Sequence, residues 1–126
     1  CRCAVPRLRL ETRAGEVSKG RTVRCQAIER TARQAVEALP DARGVMNVQL
    51  FHDAETDAIA IIEINARFGG GYPLTHEAGA PMAQWLLADA AGLDSDIDGE
   101  AWRDGLVMLR YDEAVYVEAG GLEGGR

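Results

Sequence analysis

Four oxygen-bearing side chains on two neighbouring apolar runs have the types and spacing to hold a hard metal ion. They are Asn47, Gln49, Glu63 and Asn65. The runs, Val45–His52 and Ala58–Asn65, are rich in Val, Ile and Phe, and a short polar segment separates them. A polar loop of this length closes antiparallel strands, so the sequence predicts a β-hairpin.

The register of this hairpin decides which side chains meet. A turn centred near the middle of the polar loop predicts the cross-strand pairs Asn47–Asn65, Gln49–Glu63 and Phe51–Ile61. Successive side chains of a strand alternate between faces, so the four polar side chains share one face. The opposite face is then uniformly apolar, with Val48, Leu50, Ile62 and Ile64.

Polar groups gathered on a half-buried sheet cost desolvation unless something satisfies them. Mg²⁺ or Mn²⁺ would do so, since Mg²⁺ takes one or two carboxylates together with phosphate oxygens and water. Glu63 could bridge two ions, Gln49 and Asn65 offer amide oxygens, and Arg67 carries a planar fork suited to phosphate. In the alternative interpretation these side chains only bond one another or line a solvated surface. A register slip of one residue would move each to the other face.

Three motifs resemble the C-terminal half of an ATP-grasp domain, in the branch related to the carbamoyl-phosphate synthase large chain. They are RGVMNVQ at Arg43–Gln49, IEINAR at Ile62–Arg67 and AGAPMA at Ala78–Ala83. The family pattern places a Gln on one strand and a Glu-x-Asn-x-Arg run on the next. The resemblance covers roughly Pro6–Tyr116.

The resemblance implies roles for individual residues. Gln49 and Glu63 would hold one magnesium of an ATP complex, and Glu63 and Asn65 the second. Arg67, as the catalytic residue, and Asn47 would contact a phosphate or acyl phosphate. The implied chemistry is ATP-dependent activation of a small-molecule carboxylate as an acyl phosphate, which an amine then attacks.

The order of elements, with a strand, a helix, a hairpin, a helix and a strand, favours an α+β fold. We expect an antiparallel sheet with helices packed on one face, as in the ATP-grasp C-terminal lobe. Residues 1–117 would form a partial ATP-grasp domain, and residues 118–126 a flexible glycine-rich tail. Two helices are predicted as core elements, over Val23–Leu39 and from Pro81 to Gly92, and a strand or strand pair over Leu106–Val117.

The chain opens on Cys1 and its first methionine is Met46, which suggests a fragment, a processed chain or an incomplete reading frame. In an ATP-grasp fold, the lobe that supplies the adenine pocket is expected upstream of Cys1. The chain is therefore interpreted as a fragment that binds ATP weakly and is inactive alone. The alternative is a non-catalytic interaction or scaffold module derived from such a lobe. A weaker third hypothesis is a magnesium-binding protein unrelated to ATP, and a homo-oligomer remains open.

Composition excludes several classes of protein. A chain of 126 residues, 47% hydrophobic, can bury one core. The net charge of −6 argues against a nucleic-acid surface. No apolar run approaches the ~20 residues that span a bilayer, so a cytoplasmic protein without membrane partners is expected. Cys1, Cys3 and Cys25 fit neither a disulfide framework nor a zinc site and are predicted to be reduced thiols.

Two basic segments are further candidates. Arg7, Arg9 and Arg13 alternate along a predicted strand, as either a solvated face or a site for a substrate carboxylate or phosphate. Lys19 falls in a predicted loop over Gly15–Thr22 and could contact ATP phosphate, although the order of a P-loop is absent. The resembled branch carries a histidine in this loop, so its bicarbonate chemistry is in doubt here. Phe68–Pro73 is predicted as a flexible glycine loop beside the metal site.

Overall fold

The structure is a computed structural model that describes residues 1–116 and 118. Its elements alternate between antiparallel strands and short helices. They are β1 (Arg7–Arg13), β2 (Glu16–Thr22), α1 (Gln26–Glu37), β3 (Asn47–His52), β4 (Ile59–Asn65), α2 (Tyr72–Glu77), α3 (Met82–Ala90) and β5 (Val107–Leu109). The predicted α+β class with antiparallel pairing is confirmed, and the strands are divided between two sheets.

The first sheet has three strands in the order β1-β2-β5, all antiparallel. The turn between β1 and β2 is Ala14-Gly15, and both residues have positive φ, of 49° and 82°. Two successive positive φ values match the twist of a tight hairpin. The prediction of a loop over Gly15–Thr22 was therefore wrong, because this segment pairs on both edges as the central strand.

The second sheet is the β3–β4 hairpin. The predicted pairs at its open end are confirmed, with Asn47 opposite Asn65 and Gln49 opposite Glu63. Nearer the turn the register shifts, because Ile62 is an unpaired extra residue in β4. A β-bulge of this kind locally interrupts the ladder. Phe51 consequently pairs with Ala60 instead of the predicted Ile61, and Ile62 does not belong to a regular apolar face.

A small buried cluster joins the segment after α2 to the segment that precedes β5. Trp102, Ala78 and Ala80 are its buried members, at 3%, 4% and 1% exposure. Thr22 is fully buried and ties β2 to the C-terminal segment, because its hydroxyl donates to the Arg103 carbonyl at 2.8 Å and accepts from an amide.

The helices contribute less to the core than the sequence indicated. In α1 the one buried residue is Glu29, and in α3 no residue is buried, although Met82 and Trp85 pack against the core cluster. Leu87 of α3 is 71% exposed. The prediction of two core helices overestimated their burial, since their apolar side chains are mostly half-buried.

The C-terminal segment differs from its prediction. The strand expected over Leu106–Val117 is limited to the three residues of β5, and residues 110–116 form no regular element. The expected tail over 118–126 lies outside the described residues apart from Glu118. Within residues 1–116 and 118, no helix has the length and apolar character needed to cross a membrane.

Candidate functional site

The open end of the β3–β4 hairpin brings the three predicted metal ligands together. The carboxylate of Glu63 accepts hydrogen bonds from two side-chain amides through the same oxygen, Oε1. One donor is Nε2 of Gln49, directly across the strand pair, and the other is Nδ2 of Asn65 at 3.0 Å. This contact arises from the alternation of side chains along two strands in register.

An arginine of the other sheet extends the cluster. A guanidinium nitrogen of Arg9 donates to Oε1 of Gln49. The orientation of the Gln49 amide follows from chemistry, since a guanidinium only donates and an ionised carboxylate only accepts. Gln49 must therefore turn its oxygen to Arg9 and its nitrogen to Glu63. The result is a hydrogen-bonded chain from β1 through β3 to β4.

Arg7 lies beside this chain and is held by neutral acceptors. Its Nη2 donates to Oδ1 of Asn47 at 3.1 Å, and its Nη1 donates to Oγ1 of Thr75 at 3.1 Å. Burial lowers the pKa of the Arg7 guanidinium, and the neighbouring charge of Arg9 lowers it further. Both causes reflect a positive charge partly withdrawn from water without a compensating anion beside it.

The glycine segment Gly69–Gly71 packs onto the same residues. A Cβ at Gly69 would lie 2.8 Å from Cγ of Asn47 and overlap its amide. A Cβ at Gly71 would lie 3.5 Å from Nη1 of Arg7. The backbone can approach these two side chains closely because glycine carries no side chain. The prediction of a flexible loop over Phe68–Pro73 was incomplete, since α2 begins at Tyr72.

A cleft of about 1570 Å³ is lined by residues of β1, β2, α1 and β3 and by the glycine segment. Its lining includes Arg7, Arg9, Asn47, Gln49 and Arg67. Arg67 is exposed, and its Nη1 donates to the carbonyl oxygen of Phe68 at 3.1 Å. The predicted phosphate contacts Asn47 and Arg67 therefore border the same cleft as the predicted metal ligand Gln49.

Lys19, a predicted phosphate ligand, does not reach this cluster. Its ammonium pairs with the carboxylate of Glu11 at 2.6 Å on the neighbouring strand. Hydrogen bonds from Lys19 and Ser18 lower the pKa of the Glu11 carboxyl. Lys19 sits between cross-strand partners in the central strand, whereas the prediction assumed a free loop.

The donor set decides whether the cluster suits a metal ion. Glu63 supplies a carboxylate, and Gln49 and Asn65 can supply amide oxygens once their nitrogens turn away. Among the residues that the structure describes, no group of three or more His, Cys, Asp or Glu residues could hold a metal by itself. A set with one carboxylate fits Mg²⁺ that arrives with phosphate oxygens, as is usual for this ion at nucleotide sites.

One residue of the site escaped the sequence interpretation. Thr75 holds Arg7 from α2, and nothing in its local sequence marks it, because the contact spans 68 positions. The choice between a solvated face and a binding site was left open for Arg7 and Arg9, and their alternation on β1 was the signal that placed them together. Arg13, predicted beside them, instead pairs with Asp112 at 3.0 Å, after a register irregularity in β1.

The three cysteines are free thiols, as predicted. Burial raises the pKa of Cys3 to about 11, so this thiol stays protonated at neutral pH. A protonated thiol is a poor nucleophile and a poor metal ligand. Neither role is therefore assigned to Cys3.

Comparison with known proteins identifies the family of the chain. The chain is an ATP-grasp protein. It belongs to the family described as ATP-grasp in the biosynthetic pathway with Ter operon, whose model matches residues 1–114. A search of curated proteins found no match to the chain. The carbamoyl-phosphate synthase-like branch stays a prediction, because the matching family does not specify it.

Proposed function

We propose that this chain is the metal- and phosphate-binding part of an ATP-dependent carboxylate–amine ligase that works through an acyl phosphate. The observation that carries the proposal is the contact between Glu63 and Gln49 at the open end of the hairpin, where Gln49 lines the cleft. Membership of the ATP-grasp family supports the same reaction class.

The proposed roles follow from the chemistry of each side chain. Glu63 would hold Mg²⁺ or Mn²⁺ through its carboxylate, with Gln49 and Asn65 supplying amide oxygens after breaking their hydrogen bonds to it. Arg67 and Asn47 would contact phosphate oxygens. When bound, the metal ion would neutralise charge on the phosphates of ATP.

In phosphoryl transfer the protein mainly positions the reacting groups and neutralises charge. Arg67 suits the second task, since its guanidinium is exposed to the cleft and can present two parallel N–H groups to one phosphate. Lys19 is proposed as a phosphate ligand only if its ion pair with Glu11 opens.

Calorimetric titration with ATP, in the presence and absence of Mg²⁺, tests the proposal. We expect weak, metal-dependent binding that falls at least about tenfold in Glu63→Gln, since interactions with a charged group contribute about 1.5–3 kcal/mol. Glu55→Gln, in the exposed turn of the same hairpin, is the matched control and should bind as the parent does. Equal affinity in both variants would refute the role of Glu63.

The proposed partner is a second ATP-grasp lobe that carries the adenine pocket, together with small-molecule carboxylate and amine substrates. We expect ATP turnover only when such a lobe accompanies this chain. Turnover should then disappear in Glu63→Gln and persist in Glu55→Gln.

The alternative function is a non-catalytic interaction module built on an ATP-grasp lobe. The exposure of apolar side chains on the hairpin favours it, since Phe51 is 73% and Ile62 is 55% exposed. Contiguous exposed apolar surface often marks a protein contact. Absence of metal-dependent ATP binding, even with a second lobe present, would select this alternative.

A further inference from the structure

Two arginines of β1 enter the cleft from the sheet opposite the hairpin. Arg7 and Arg9 lie on the same face of the strand, and each donates to a side-chain amide oxygen of β3. The acceptors, Asn47 and Gln49, are neutral. Burial lowers the pKa of Arg7, and the neighbouring charge of Arg9 lowers it further.

Neither arginine has a carboxylate partner in the described part of the chain. Within residues 1–116 and 118, no ion pair within 4.0 Å includes Arg7 or Arg9. Other arginines do find one, as Arg24 does with Glu100 at 2.9 Å. The chain carries 20 acidic residues against 14 basic ones, so carboxylates are in excess.

A partly buried cation without a counter-charge is costly, and an anion that enters from solvent offsets this cost. Such an anion could reach both arginines through the cleft, because both residues line it. Arg13, on the same strand, shows the contrast, since its guanidinium is paired with the carboxylate of Asp112.

The two guanidinium groups differ in how firmly they are held. Arg7 is fixed by Asn47 and Thr75, and the backbone of Gly71 lies close to its guanidinium. Arg9 is exposed and has a single side-chain bond, to Gln49. One fixed and one adaptable fork together suit a planar or tetrahedral oxyanion, which guanidinium groups bind with paired hydrogen bonds.

We propose that Arg7 and Arg9 form a binding site for an oxyanion, a carboxylate or a phosphate group, carried by a small molecule in the cleft. The proposal deepens the proposed function, and its assignment to a ligase substrate rests on that function. An oxyanion bound here would be separated from Glu63 by the Gln49 side chain, because the Gln49 amide contacts both Arg9 and Glu63.

This connection has a thermodynamic consequence. Arg9 donates a hydrogen bond to Oε1 of Gln49. The same oxygen is the atom that Gln49 would offer to a metal ion. When Arg9 turns to an anion, it releases that oxygen. Anion and metal binding should therefore favour each other, and each should raise the affinity for the other by the same factor.

Titrations with pyrophosphate and with succinate test the site, on the full chain in EDTA at fixed ionic strength. The readouts are calorimetry and the NMR signals of the arginine Nε–H groups. We expect at least one probe to bind, and its affinity to fall about tenfold or more in Arg7→Lys and Arg9→Gln. Arg13→Gln, a surface arginine of the same strand, should leave it unchanged. Pyrophosphate alone identifies phosphate as the ligand group, and succinate alone identifies a carboxylate.

The proposal is overturned if neither probe binds the parent chain, or if Arg13→Gln loses as much affinity as Arg9→Gln. Circular dichroism checks folding, and Arg9→Gln decides the matter should Arg7→Lys unfold, since Arg9 is exposed. The experiment contains neither metal nor nucleotide. Its failure is therefore distinguishable from loss of Glu63-dependent ATP binding, which is measured separately.

Discussion

Gln49 and Glu63 face each other across the β3–β4 pair, and the amide of Gln49 donates to the carboxylate of Glu63. In this arrangement the nitrogen of Gln49 satisfies Glu63, while its oxygen accepts from Arg9. A metal ion at Glu63 would require the amide to reorient. The side chains that are proposed to hold the ion are therefore linked to one another by hydrogen bonds in this structure.

Gly69→Ala tests the packing of the glycine segment on this cluster. The new methyl group would overlap the amide of Asn47, which must move and lose its bond from Arg7. We expect a loss of about 1–3 kcal/mol in the free energy of unfolding, measured by urea denaturation. Gly70→Ala is the matched comparison, because the atoms nearest to its methyl group would be those of the exposed, flexible carboxylate of Glu16.

Gly70→Ala should cost less than about 0.5 kcal/mol, as is usual for changes that flexible surface groups can accommodate. Equal losses for the two variants would contradict the close contact between Gly69 and Asn47.

Arg24 anchors the C-terminal segment to the core. Its guanidinium lies 3.7 Å from the ring centre of Trp102 and donates to the carbonyl oxygens of Glu100 and Trp102, at 2.9 Å each. We expect Arg24→Ala to lower the free energy of unfolding by about 1–3 kcal/mol. Arg30→Ala, at an exposed position of α1, should change it by less than about 0.5 kcal/mol. Similar values for both variants would contradict this anchoring role.

The hairpin turn should respond to acid. Hydrogen bonds to Asp53 lower the pKa of its carboxyl. The largest effect comes from the Thr56 hydroxyl, and the backbone amides of Glu55 and Thr56 add to it. A lowered folded-state pKa stabilises the fold above the ordinary Asp pKa of about 3.9, and this contribution is lost as pH falls through the folded-state value. We expect Thr56→Ala to raise the Asp53 pKa measured by ¹³C NMR, and Thr56→Ser to retain it. An unchanged titration in Thr56→Ala would contradict the bond.

Local sequence rules were sufficient to predict the strand pairing at the open end of the hairpin. Alternation of side chains and the length of the polar loop placed Gln49 opposite Glu63, and the structure has that pair. The family resemblance selected the same residues from motif order. Agreement was good at the open end of the hairpin because the pairs there are unaffected by the bulge at Ile62.

Other features depend on contacts that local patterns do not encode. The bulge at Ile62 changes the pairing near the turn, although β4 contains no glycine or proline that would indicate it. Lys19 was placed in a loop because two glycines flank its segment, yet tertiary pairing on both edges makes that segment a central strand. The bond from Arg7 to Thr75 joins residues from distant parts of the chain, so only the folded structure reveals it.

The most direct measurement is paramagnetic broadening of amide NMR signals by Mn²⁺ together with ATP. The account predicts selective broadening at Gln49, Glu63 and Asn65, little effect at the opposite end of the hairpin over 53–57, and loss of the selective pattern in Glu63→Gln. Broadening that spares Glu63, or that is unchanged in Glu63→Gln, would contradict a metal–nucleotide site at the open end of the hairpin.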